Sequence, residues 1–369
     1  MTTTVMTDSI QSATRSRLAG LPFRLLAGIP LALGAMLSFL GLAYDVQWHS
    51  TVGPDTFFTL PHLVLYSGVG LAGLSCLLVV LYSTHTYRAG RSIFPVASLS
   101  AVLGGRFWAP LGFVIGGFGS LSFLLFGLYD EWWHSIYGFD VTIFSPPHVG
   151  LLFSVLINMV GCILVYGGAD RNKQGRATLG AVVGLTAAVA TLLGILTVFI
   201  GLLELLPFVP DPHQLGMALF ITLGFLLVIA TTRQPGAATL VALWFTGLRT
   251  VIWYVAPWAT SAYAAYLGLH LRDYADLRAE VALAMPIWTI GAALVVDALC
   301  WVARRRNWSL LMTVAGAGGV AALVLVLPQQ YIMGEFALLA PITPLVALVV
   351  GALMAWIGWN LGTVLRRIG

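Results

Sequence analysis

Two short stretches of this sequence bring together the side chains best suited to binding a metal ion. Residues 129–134 read Tyr-Asp-Glu-Trp-Trp-His, and His148 follows after a short interval. Residues 44–49 read Tyr-Asp-Val-Gln-Trp-His, and His62 follows in the same way. The two aspartates lie 85 positions apart and the two later histidines 86 positions apart, which indicates a duplicated structural unit.

Within each copy the spacing suits chelation of one ion. In the first copy Asp45 and His49 are four residues apart, so on a helix their Cβ atoms lie on one face, about 5–6 Å from each other. His62 starts the next apolar segment, and an antiparallel hairpin returns it beside the first two. The sequence therefore predicts two His-His-Asp sites, formed by Asp45, His49 and His62 and by Asp130, His134 and His148.

Two imidazole nitrogens with one carboxylate and no thiolate suit copper, zinc or iron(II), and the affinity order of these ions favours copper. Coordination positions stay open for water, oxygen or substrate. Asp55 and Asp140 follow the paired ligands and could either accept hydrogen bonds that orient the histidines or cap helices and stabilise turns. Besides metal binding, the two triads could serve proton or ion translocation or have a purely structural role.

The composition assigns the chain to a membrane. Of its 369 residues, 59% are hydrophobic and 9% are charged, and the mean hydropathy is +0.93. This leaves too little polar surface for a water-soluble globule of that size, but it suits a bundle of spanning helices. We therefore predict an all-α, polytopic transmembrane helical bundle surrounded by the lipid bilayer.

The basic residues do not indicate a nucleic-acid partner, although the formal net charge is +4. They are spaced singly or in short groups between apolar segments, as in loops that set membrane orientation. Cys76, Cys162 and Cys300 lie within apolar segments without Cys-x-x-Cys spacing, so we expect buried thiols and neither disulfides nor a thiolate zinc site. The sequence shows no Gly-rich phosphate loop, nucleophile elbow or His-Glu-x-x-His pattern of another enzyme class.

Segments of roughly 20 apolar residues predict ten spans built on repeated helical hairpins. These spans lie near 24–48, 58–82, 107–135, 146–168, 178–206, 213–232, 236–257, 282–303, 308–328 and 337–365. We divide the chain into a polar cytoplasmic N-terminus (1–20), duplicated hairpins with both metal motifs (21–168) and the remaining helices (169–369). The last part is expected to pack with the hairpins as one membrane domain.

The distribution of lysine and arginine predicts the orientation in the membrane. Fifteen of the 18 basic residues fall at the N-terminus, after even-numbered spans or at the C-terminal end. These are cytoplasmic positions under the positive-inside rule. Both termini are therefore predicted to be cytoplasmic, in an inner or plasma membrane. The connections after odd-numbered spans, which hold both metal motifs, then lie at the outer face.

Other polar residues carry less specific signals. Glu204 followed by His213 repeats part of the motif without its Asp-x-x-Trp-His half, and it either adds a ligand or marks a turn and a helix start. The polar connection 258–280 predicts an interfacial amphipathic helix or a loop. Arg249 and Asp297 lie inside spans seven and eight, where either an ion pair between them or water-filled polar cavities would stabilise them.

Two asparagines and three tryptophans also lie within or beside the spans. Asn158 and Asn360 are expected to form hydrogen bonds between helices, worth about 0.6 kcal/mol each on average. Trp48, Trp132 and Trp133 fit an aromatic belt at the membrane interface.

The residues in and around the first copy follow a known pattern. Asp45, His49 and His62 have the spacing Asp-x3-His-x12-His. The flanking pattern Asp-x-x-Trp-His and Asp-Thr-x-Phe-Thr-x-x-His is matched by Asp45, Trp48, His49, Asp55, Thr56, Phe58, Thr59 and His62. In these residues the chain resembles the membrane subunit that carries this motif in the copper-containing particulate methane and ammonia monooxygenases. The second copy is similar, with one extra residue between His134 and His148.

The resemblance implies that Asp45, His49 and His62 are copper ligands. It further implies a monooxygenase-like oxidoreductase subunit that oxidises a small apolar substrate with O2 beside partner subunits, one of them with cupredoxin-like domains outside the membrane. A function of another class fits the same ligands, namely a transporter or storage protein for copper or another divalent ion. A transporter needs a continuous polar path to the cytoplasm, for which Arg249 and Asp297 are the candidates.

Cysteine labelling from either side of the membrane tests this orientation. Cysteines introduced beside Asp55 and Asp140 should react with a membrane-impermeant reagent added from outside, because the positive-inside rule puts both connections there. Labelling of both positions only from the cytoplasmic side would contradict the orientation.

Overall fold

The computed structural model describes residues 2–54, 56–138, 145–169, 171–172, 175–200, 212–273, 275, 277–332 and 342–368. Within these ranges the chain is helical apart from its connections and one short β-hairpin. The elements are α1 (Thr2–Thr51), α2 (Leu60–Arg88), β1 (Leu99–Val102), β2 (Phe107–Pro110), α3 (Leu111–Tyr137), α4 (Pro146–Gly167), α5 (Leu179–Ile200), α6 (Pro212–Thr232), α7 (Ala237–Leu267), α8 (Glu280–Ala284), α9 (Thr289–Arg306), α10 (Leu310–Ile332) and α11 (Ile342–Ile368).

The predicted all-α polytopic bundle is confirmed. Among the described residues, ten helical segments are long and apolar enough to cross a membrane. They correspond one to one to the ten predicted spans. The eighth segment, Glu280–Arg306, consists of α8 and α9 with a break around Pro286, whereas the sequence predicted one continuous helix.

Two boundaries differ from the prediction for identifiable reasons. The third span starts at Leu111, not near 107, because the residues just before it form strand β2. β2 pairs with β1 as an antiparallel hairpin in which Leu99 lies opposite Pro110 and Val102 opposite Phe107. The turn between the strands has positive φ at Gly104 and Gly105, a conformation that glycine adopts without steric cost. The seventh span continues through Pro257 to Leu267, since proline is tolerated within membrane helices.

The first helical hairpin, α1 with α2, is packed closely enough for backbone to meet backbone. A Cβ atom placed on Gly34 of α1 would lie 2.5 Å from the carbonyl oxygen of Gly68 and 2.7 Å from the amide nitrogen of Ala72. Only glycine fits at such a contact, as in other small-residue interfaces between membrane helices.

The second hairpin, α3 with α4, repeats the same contact. A Cβ atom on Gly119 would lie 2.8 Å from the carbonyl oxygen of Ser154 and 2.6 Å from the amide nitrogen of Asn158. Gly119 follows Gly34 by 85 positions, the offset that relates the two aspartates. Ser154 and Asn158 follow their counterparts on α2 by 86 positions, the offset that relates the later histidines. The duplication seen in the sequence is therefore also a duplication of helix packing.

Asn158 also links the two helices of its hairpin as predicted. Its side-chain amide donates to the hydroxyl of Ser120 at 2.7 Å and to the carbonyl of Gly116 at 3.3 Å, both on α3. Asn360 differs, because its amide donates to the carbonyl of Trp356 within α11.

The three cysteines are free and buried, which confirms their predicted role in packing.

Arg249 and Asp297 do not form the ion pair that was one of the two predicted alternatives. The Nε atom of Arg249 donates to the carbonyls of Ala282 and Met285, at 3.0 and 3.1 Å, next to the break between α8 and α9. The carboxylate of Asp297 accepts from the backbone N–H and the hydroxyl of Thr239, at 2.9 and 2.7 Å. Thr239 lies in the first turn of α7, where unpaired N–H groups favour a negative charge.

Replacement of Gly119 by alanine tests the close contact in the second hairpin. We expect Gly119→Ala to lower the free energy of unfolding by about 1–3 kcal/mol, because the added methyl group overlaps backbone atoms of α4. Gly127→Ala on the same helix is the matched control, since a Cβ atom there has no heavy atom within 4 Å. Thermal unfolding of the purified protein provides the measurement, and equal midpoints for the two variants would contradict the packing.

Candidate metal centre

The first predicted triad forms at the open end of the α1–α2 hairpin. The Oδ1 atom of Asp45 lies 3.7 Å from Nε2 of His49, one turn further along α1, and 3.1 Å from Nε2 of His62. His62 is the third residue of α2, directly after Pro61. Thr59 precedes this helix with an extended backbone, φ −64° and ψ 153°, so proline and cap together direct the histidine back towards α1.

The second triad has the same construction in the α3–α4 hairpin. The Oδ1 atom of Asp130 lies 3.4 Å from Nε2 of His134 and 3.3 Å from Nε2 of His148. His148 is the third residue of α4, after Pro147, and Ser145 precedes the helix with φ −61° and ψ 153°. The extra residue between the histidines of this copy leaves the start of the helix unchanged.

Each set of three ligand atoms has dimensions that fit one metal ion. Within each triad the carboxylate oxygen and the two imidazole nitrogens lie within 4.8 Å of one another. Ligands bound tetrahedrally at about 2.0–2.1 Å from an ion are about 3.3 Å apart, close to the observed oxygen–nitrogen distances. All six predicted ligands are thus brought together in the predicted groups, and the donor set is one that copper, zinc and iron(II) accept.

Backbone carbonyls orient two of the histidines. Nδ1 of His62 lies 3.1 Å from the carbonyl oxygen of Thr56, and Nδ1 of His134 lies 3.0 Å from that of Gly138. With Nδ1–H donating there, Nε2 keeps its lone pair for a metal ion. No sequence signal points to these acceptors, because every residue type has a carbonyl.

Both triads border one cavity. It has a volume of about 340 Å3 and lies between α1, α2, α3 and α4. Five of the six predicted ligands line it, and the second-copy His134 is the one outside the lining. The ligand atoms form two groups, but the two groups face a common space.

The cavity is polar at the triads and apolar at its other end. Phe123 and Val155 line this second end, and each lies seven residues along its helix from a ligand, Asp130 or His148. At 1.5 Å per residue the apolar end is about 10 Å from the metal ligands. A small apolar molecule therefore finds both hydrophobic walls and metal ligands in the same space.

Two charged residues in the cavity wall were missed by the sequence interpretation. Arg272 and Glu280 belong to the connection that was predicted only as an interfacial segment, yet both line the cavity. The backbone N–H of Arg272 donates to the carbonyl of Thr51, and that of Glu280 donates to the side chain of Gln47. These bonds join residues more than 200 positions apart, and no local pattern predicts them.

The remaining predictions around the site have mixed outcomes. Trp48 is 1% exposed and packs against the ring of Tyr263 at 5.1 Å between centroids, so its assignment to an interfacial belt is wrong. Trp132 is 49% exposed and remains suited to such a belt. The candidate outer acceptors and the partial third motif, namely Asp55, Asp140, Glu204 and the side chain of His213, lie outside the described residues.

Comparison of the chain with models of protein families, with curated proteins and with solved structures finds no match. Fold and site alone therefore define the class: a multi-pass, all-α membrane protein with two candidate His-His-Asp metal centres. The identity of the metal and the relation to copper monooxygenases remain predictions from the residues.

A triple replacement tests whether each triad binds its own ion. Replacing Asp130, His134 and His148 together by alanine should leave about half of the metal bound, because the first hairpin keeps a complete ligand set. Metal content per purified chain is the measurement, and Glu131→Gln, an exposed neighbour of the ligands, is the control that should keep all of it. Loss of all metal from the triple variant would show that the six residues form one shared site.

Proposed function

We propose that the protein is a copper-containing membrane oxidoreductase that oxidises a small apolar molecule with dioxygen. The observation that carries this proposal is the common cavity, which combines two His-His-Asp triads with an apolar end. Binding or storage of copper alone would not require an apolar space of about 340 Å3 beside the ligands.

The six ligands would hold copper with coordination positions left free. Two imidazoles and a carboxylate occupy three positions of an ion, so further ligands can bind. Copper bound there would supply the affinity for dioxygen and the redox chemistry. The backbone carbonyls behind His62 and His134 fix the imidazole rings, and fixed ligands hold a metal in one geometry.

The apolar end would bind and position the substrate. Its walls include Phe123 and Val155, which offer dispersion contacts but no hydrogen bonds. A volume of about 340 Å3 is at the small end for ligand pockets, so methane or a short alkane would fit and a lipid chain would not. Burial of the substrate here would also keep bulk water away from the reaction.

A hydroxylation of this kind needs an electron donor. One oxygen atom enters the C–H bond, the other leaves as water, and an electron pair and two protons are consumed. A partner subunit would supply the electrons, and the resemblance suggests one with cupredoxin-like domains outside the membrane. The predicted position of the triads at the outer face of the cell membrane is compatible with such a partner.

Ion transport is less well supported by the described residues. The intramembrane residues that could extend a polar path, Arg249 and Asp297, are bonded to the ends of neighbouring helices. Both side chains therefore act as helix caps, a role that does not involve a moving ion.

Oxygen consumption distinguishes the two functions. Membranes containing the protein and its partner subunits should consume oxygen and form the hydroxylated product from methane or a short alkane. The variant His62→Ala should lose at least about half of this activity, because the first site loses one of its three ligands while the second triad stays intact. His85→Ala is the matched control, since His85 is an exposed residue near the far end of the same helix. Equal rates in wild type and His62→Ala, with metal accumulation still dependent on His62, would favour ion handling over oxidation.

A further inference from the structure

We propose that the cavity is a single ligand site served by both metal centres, so that one molecule of dioxygen binds between the two triads. This inference rests on the proposed function in one respect, namely that both triads hold copper. It goes beyond that function because two separate mononuclear sites would each bind a ligand of their own.

The first argument is the equivalence of the two walls. On α2 the cavity is lined by His62, Leu65 and Tyr66. On α4 it is lined by the residues 86 positions later, His148, Leu151 and Leu152. Residues at i, i+3 and i+4 share one face of a helix, so the same face of each repeated helix points into the same space. His62 and His148 thus face the cavity from equivalent positions, as do Asp45 and Asp130, whereas of the remaining two ligands only His49 lines it.

The second argument is the size of the space. The cavity has a volume of about 340 Å3, at the small end for ligand pockets. A ligand at its polar end lies against residues of both triads, because Asp45 and Asp130 both line this space.

The third argument concerns charge. Two anionic ligands held a few ångströms apart among apolar side chains repel each other far more strongly than in water. Binding of a first anion therefore disfavours a second, and the cavity should accept one anion for two metal ions. Arg272 and Glu280 in the wall contribute one charge of each sign, so they do not offset this repulsion.

Azide is a suitable probe, because it is a small anion that binds to Cu(II) and changes its electron paramagnetic resonance spectrum. Full-length protein loaded with two Cu(II) ions per chain should bind one azide per chain, and this single azide should alter the signals of both copper sites. Protein with one intact triad, the triple variant at Asp130, His134 and His148, should bind azide at least tenfold more weakly.

Filling the cavity tests the inference without altering a ligand. Leu151→Trp should retain both copper ions but weaken azide binding at least tenfold, because the indole ring occupies the space between the triads. Leu65→Trp, at the equivalent position of α2, fills the same space from the first hairpin and serves where the first variant folds poorly. Leu128→Trp on the lipid-facing side of α3, where the native side chain is 69% exposed, should bind azide like the wild type.

The possible results separate this inference from the proposed function. One azide per two copper ions, together with loss of binding in the filled variants, supports a shared ligand site. Two azides per chain with independent affinities, or unchanged binding in both filled variants, would overturn the shared site while leaving two copper centres in place. Failure of the wild type to bind copper would overturn the proposed function and this inference with it.

Discussion

The structure depends on the burial of two carboxylates among apolar helices. Asp45 and Asp130 have side chains only 17% and 11% exposed, and a charged group in such surroundings is costly unless a positive group compensates it. The Oδ1 atom of each aspartate has two imidazole nitrogens at 3.1–3.7 Å. A metal ion held by all three groups would supply the compensating charge, which would give these residues a reason to be buried together.

In each hairpin, close packing of the two helices brings the imidazoles to the carboxylate. Gly34 and Gly119 allow the paired helices to touch through their backbones, and the helices must be this close for a side chain at the start of one to reach the end of the other. The second helix of each hairpin begins with proline at its second position and histidine at its third. Duplication of this hairpin then places two triads around one cavity, a property that a single hairpin does not have.

The sequence predicted the parts that depend on local spacing. Ten apolar segments predicted the spans, and the interval of four residues between Asp45 and His49 predicted a shared helical face. It did not predict the cavity or the contributions of Arg272 and Glu280, because these depend on how distant helices and loops meet. Arg249 shows the same limit: its depth in the membrane was evident, but its partners, carbonyls at a helix break, have no residue-type signal.

The most direct test of this account is the metal content of the purified protein. After loading with copper and removal of loosely bound ions, the wild type should retain two ions per chain, because each hairpin holds a complete ligand set. The double variant His62→Ala with His148→Ala should retain none, since both triads then lack a ligand. Equal copper in the double variant and the wild type would contradict the account, because the metal would then be bound by other residues.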